Sequence, residues 1–64
     1  MEIEKEIIIL LKKKKYGLSI EDVATLLDIN RTTATKYLFS LEMRKKIDIR
    51  IVGKAKLHYP EGTL

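Results

Sequence analysis

The hydrophobic period of this chain changes once, and the change limits what it can fold into. Up to about residue 45, apolar residues recur at helical spacing. From Ile47 they recur every second position. Ile47, Ile49 and Ile51 alternate with Asp48, Arg50 and Val52, and Leu57 and Tyr59 alternate with Lys56 and His58. A period of 3.6 marks a helix with one buried face, and a period of 2 marks a half-buried strand. Helices first and strands last, within 64 residues, predict one small α+β domain, mostly α, spanning 1–64, with a hairpin at its end.

Three helices fit the first part. Residues 2–15 place Ile3, Ile7, Leu10 and Leu11 within an arc of about 80°, a normal core stripe. Acids cluster in the first turns and Lys12 to Lys15 at the end, as the helix dipole favours. Ile8 and Ile9 fall off the stripe, to cover a neighbouring element or to make a dimer contact. Gly17 is the expected helix stop. Ser19, with Asp22 three residues on, has nearly the form of a capping box and opens a second helix over about Ile20–Leu27. Asp28-Ile29-Asn30 leaves room only for a turn, with Ile29 as its apolar plug. Asn30 is an N-cap candidate for a third helix from Arg31 to about Lys45. Ala34, Tyr37, Leu38 and Leu41 line one side of it, and Thr32, Thr35, Lys36, Phe39, Ser40 and Met43 the other. Threonines are poor helix formers, so three in the first turns suggest a use for short hydrogen-bonding side chains.

The hairpin turns at Gly53. A two-residue loop would pair Ile51 with Lys56 and Ile49 with His58, mixing apolar and polar side chains on one face. A three-residue loop, Gly53-Lys54-Ala55, pairs Ile51 with Leu57 and Ile49 with Tyr59. Register follows the buried face, so the odd loop is expected. It places His58 opposite Arg50, on the outer surface. Pro60 ends the second strand.

Chemistry is mostly excluded. The chain has no cysteine and one histidine, so no thiolate or zinc site is expected. No nucleophile–base set or glycine-rich phosphate loop occurs, and Glu21 and Asp22 point about 100° apart on a helix. No cofactor, metal or small-molecule ligand is expected, and no enzyme. The longest apolar run, Ile7 to Leu11, has five residues, against about 20 for a membrane span. With acids rather than bases at the start, the expected location is cytoplasmic. Net charge is +4, concentrated in residues 31–60. There Arg31, Lys36, Arg44, Lys45, Lys46, Arg50, Lys54 and Lys56 face only Glu42 and Asp48. So basic a segment suits a polyanionic partner, or is a solvated lysine-rich surface. Abundant Lys, Ile and Glu with little Asn and no Gln suit a thermophile, or an AT-rich genome.

The order helix, helix, turn, helix, hairpin is that of a winged helix-turn-helix, with the helix-turn-helix at about 19–45 and the wing at about 47–60. Residues 20–38, IEDVATLLDINRTTATKYL, resemble the helix-turn-helix of small winged-helix transcription regulators of archaea and bacteria. These commonly read acid, apolar, Ala, two variable positions, three apolar, Ser-Arg-x-Thr, and later Arg or Lys before Leu. Residues 52–60, VGKAKLHYP, are similar to the wing of archaeal members, and the likeness covers about residues 17–60. It implies that Asn30, Arg31, Thr32, Thr33, Thr35 and Lys36 contact double-stranded DNA at the start of the recognition helix. Lys54 and Lys56, near the hairpin tip, are placed for a neighbouring phosphate backbone. Where the family has Gly and an apolar residue after helix 3, this chain has Lys45-Lys46, which suggests a helix one or two residues longer.

Phe39, opposite the core, is open to three readings: a thymine methyl contact, a partner contact, or a place under the wing. Lys12 to Lys15 form a solvated helix end or touch phosphate. The functional expectation is sequence-specific DNA binding in transcriptional regulation, with homodimerisation open. The rival is a winged helix serving as a protein-interaction module in a transcription or replication assembly.

Overall fold

The computed structural model describes residues 2–63. It contains three helices, α1 (Ile3–Lys13), α2 (Ile20–Leu27) and α3 (Arg31–Met43). A two-stranded antiparallel hairpin follows, β1 (Ile47–Val52) and β2 (Ala55–Pro60). This compact α+β topology fits a winged-helix fold. The core gathers side chains from every helix and from the base of the hairpin. Ile7, Leu11, Leu18, Val23, Ala24, Ala34, Leu38, Leu41 and Ile47 are all buried. Among the described residues no helix is long and apolar enough to cross a membrane.

Local chemistry accounts for the helix starts. Ser19 Oγ accepts from the Asp22 N–H, and the Asp22 carboxylate accepts from the Ser19 N–H, each at 3.2 Å. This reciprocal pair satisfies two donors that no helical carbonyl reaches. Asn30 Oδ1 caps α3 from the Thr33 N–H at 2.7 Å.

The helix ends depart from expectation. α1 stops at Lys13 rather than at residue 15, and the Lys14 N–H closes on the Leu10 carbonyl at 2.9 Å. α3 stops at Met43 and is not extended. Lys45 takes φ +58°, the left-handed conformation that a glycine would adopt at no steric cost. The Lys45 N–H donates to the Glu42 carbonyl and the Lys46 N–H to the Leu41 carbonyl, the bond pair of a Schellman ending. α2 closes in the same way through Asp28 at φ +54°, with Ile29 folding back against the core as the expected plug.

The hairpin register corrects the sequence expectation. The loop has two residues, Gly53-Lys54, so Ile51 pairs with Lys56, Ile49 with His58 and Asp48 with Tyr59. Three features outweigh matched apolar faces. Gly53 has φ +61° while Lys54 does not share the positive φ, which suits the Gly-X two-residue hairpin loop. Tyr59 lies on the opposite pleat, with its ring against Gly17. His58, expected on the surface, is a core residue with 2% exposure. Its backbone exchanges hydrogen bonds with Leu18, the His58 N–H donating at 2.8 Å and the Leu18 N–H at 3.0 Å. A carbonyl can only accept, so the 2.7 Å contact between His58 Nδ1 and the Leu18 oxygen fixes the proton on Nδ1. Burial, the largest influence, holds the imidazole below its ordinary pKa of 6.5.

Burial fades along the hairpin. Ile47 is buried and Ile49 half-buried, while Ile51 and Val52 at the tip are exposed. β2 runs the other way, from exposed Ala55 and Lys56 to buried His58, Tyr59 and Pro60.

Candidate nucleic-acid interface

Helical phase sets the exposed side of α3. Burying Ala34, Leu38 and Leu41 turns Thr32, Thr35, Lys36, Phe39 and Met43 outward together, within an arc of about 100°. Phe39 is 60% exposed and Met43 66%, so Phe39 does not fold under the wing.

Two adjoining depressions organise the candidate residues. One, shallow and open, is lined by Ile20, Arg31, Thr32, Thr35 and Lys36. The other lies between the start of α2 and the hairpin tip and is lined by Ser19, Ile20, Glu21, Arg31, Lys54, Ala55 and Lys56. Ile20 and Arg31 belong to both, so the start of α3 and the wing tip form one continuous surface. Six of the eight candidates therefore come together: Arg31, Thr32, Thr35, Lys36, Lys54 and Lys56. Asn30 and Thr33 line neither depression, and the Asn30 side-chain Oδ1 accepts from the Thr33 N–H in the helix cap. Ser19, Ile20 and Glu21 were not among the sequence candidates. Their only local signal was the capping box that marks the start of α2.

The basic side chains differ in what already holds them. Arg31 Nη1 lies 3.8 Å from Glu21 Oε1, with both side chains well exposed. Such a pair contributes at most about 1 kcal/mol and yields readily to a stronger anion. Lys56 Nζ meets Glu42 Oε1 at 3.0 Å, tying β2 to α3. Lys36 has its ammonium 5.7 Å from the Tyr37 ring centroid, within cation–π range. Lys54, at the tip, is exposed. The Thr35 hydroxyl donates to the Arg31 carbonyl at 2.8 Å, which leaves its oxygen to accept from a ligand while that bond stands.

Arg44 lies beyond this surface and pairs with Glu4, joining the end of α3 to the start of α1. The hydrogen bond from Arg44 is the main reason that the Glu4 carboxyl lies below its ordinary pKa. Lys12 lies elsewhere, beside Ile8, Lys46, Glu61 and Gly62.

No protein-family model matches the chain, and no curated protein matches it in sequence.

Proposed function

We propose that this chain is a winged helix-turn-helix that binds double-stranded DNA sequence-specifically and regulates transcription. In this reading α3 enters the major groove, which is about 12 Å wide and admits one helix, and the wing tip meets the backbone. The observation that carries the reading is the continuous surface joining Arg31, Thr32, Thr35 and Lys36 to Lys54 across the start of α2. It combines short polar side chains at base-reading positions with cations that are weakly held or exposed. Arg31, in the first turn, reaches base edges, while the Lys54 ammonium meets a phosphate without reading sequence. Lys56 contributes less, because it must leave Glu42 first. The domain acts by binding, with no catalytic step.

Selection of bound duplexes from a random pool supplies the preferred site and tests the reading directly. Arg31→Ala is expected to cost about 1–3 kcal/mol on that site and to narrow the gap between it and random DNA. Lys54→Ala is expected to weaken both by a similar factor and to lower the salt slope by about one. Uniform weakening by Arg31→Ala would reduce Arg31 to a phosphate clamp. No binding to any duplex at low salt would end the reading.

The exposure of Phe39 and Met43 favours a second reading, a protein-interaction module that uses the same side of α3. Salt-insensitive capture of a protein partner, lost in Phe39→Ala, would distinguish it.

A further inference from the structure

On another side of the molecule, α1 and α2 leave a groove lined by Glu6, Ile9, Leu10, Lys13 and Leu27. Ile9 is 52% exposed there. Glu6 is half-buried, and its Oε2 is shut off from water with no hydrogen-bond partner. Another copy cannot reach that sealed oxygen, but a cation set beside the part of the Glu6 side chain that remains accessible stabilises its charge. Within α1 the only cation lining this groove is Lys13, two helical turns from Glu6, about 10 Å along the axis.

The spacing of these residues points to the cation's source. Glu6 and Lys13 are equally far from the midpoint between Ile9 and Leu10. If a second α1 lies antiparallel across the first about a twofold axis at that midpoint, residue 6 faces residue 13 of the other copy. Residue 9 likewise faces residue 10. One rotation then supplies both copies with a cation for Glu6 and covers both Ile9 side chains, as an isologous contact requires. No other pairing of two identical helices satisfies both charges at once with the apolar pair at the centre.

We propose that the chain self-associates through this α1 face, as an antiparallel twofold dimer held by reciprocal Glu6–Lys13 contacts around Ile9 and Leu10. The proposal does not depend on DNA binding, since the residues lie outside the α3 surface. The groove is small. A specific interface covers about 800 Å² per partner, a large share of the 4578 Å² that this domain exposes. A contact confined to one short helix face is expected to be weak, with a dissociation constant between about 10 µM and 1 mM.

Sedimentation equilibrium at low salt, from roughly 10 µM to 1 mM, brackets that constant and reads the mass directly. The wild-type chain is expected to move from monomer towards dimer across the range. Glu6→Lys places two lysines opposite each other, and Lys13→Glu places two glutamates opposite each other, so each variant alone is expected to stay monomeric. An equimolar mixture of the two restores both opposite-charge contacts and is expected to form a heterodimer. Ile9→Glu, at an exposed position, is expected to be monomeric with an unchanged helical circular dichroism spectrum. If Glu6→Lys does not fold, Lys13→Glu and Ile9→Glu carry the test, and either remaining dimeric overturns the proposal. So does a wild-type chain that is monomeric throughout, or a mixture that associates no better than its folded components.

Discussion

Gly17 is held by two constraints at once. Its φ is +93°, and a Cβ added there would lie 2.6 Å from the Tyr59 ring. Gly17→Ala therefore meets left-handed strain of about 1–2 kcal/mol and overpacking of about 1–3 kcal/mol. The expected loss is about 2–4 kcal/mol, read as a lower urea midpoint at unchanged slope. From the sequence, Gly17 reads as the stop of the first helix, yet that helix has already ended at Lys13. The real demand comes from a ring 42 positions later, which no local pattern contains. His58 was misplaced for the same reason. Alternation marks it as polar and hence outward, but the Leu18 carbonyl that satisfies its Nδ1–H lies on a distant segment. Cap residues were legible because their partners sit three positions away.

Among the elements, α2 has the bounds its sequence pattern implies, since its start and finish are both made locally. The end of α3 was less legible because Lys45 adopts a conformation its residue type disfavours. Lys45→Gly relieves about 1–2 kcal/mol of left-handed strain and returns about 0.4–1 kcal/mol through the looser unfolded chain. A net gain of about 0.5–1 kcal/mol is expected, measured by thermal or urea unfolding. The wing carries a pH dependence. The folded domain holds His58 below the 6.5 of the unfolded chain, so above that pH both states are neutral and stability is complete. As pH falls below 6.5, the unfolded chain takes up a proton that the folded one resists, and stability declines. Urea midpoints are expected to be level from about pH 8 to 7 and to drop towards pH 5.5, with His58→Leu flattening that drop. Glu4 acts with the same sign at lower pH. Its contact with Arg44 stabilises the fold above its ordinary 4.5 and is lost on further acidification.

For the whole molecule, charge placement matters more than its total. Of the four cations bordering the two α3 depressions, Lys56 is paired with Glu42, and the proposed DNA-binding reading gives Arg31 to base edges, which leaves Lys36 and Lys54 for phosphate. Two neutralised phosphates at about 0.9 each give a log–log salt slope of roughly −1.8 per protomer on duplex DNA, and roughly −2.7 if Arg31 is a phosphate clamp instead. Binding titrations at several salt concentrations measure it, and a slope of about −3.6 per complex is expected where two copies bind together. The α3 part of this surface was legible from helical phase alone. The cleft at the start of α2 was not, because three elements must meet before Glu21, Arg31 and Lys54 become neighbours. The two-residue loop was written in Gly53-Lys54, but the apparent symmetry of the isoleucine face argued against it.

The fading burial of the hairpin has a mechanical meaning. The wing is a beam clamped at one end. At its root, Ile47 is buried and His58 is bonded to Leu18 through both backbone and ring. Beyond Arg50 the side chains are exposed, and the ion pair of Lys56 with Glu42 ties the outer half back to α3. Load applied at Lys54 is therefore expected to bend the outer half more than the root. The hairpin is thus expected to be stiffest at its root and most compliant at Lys54.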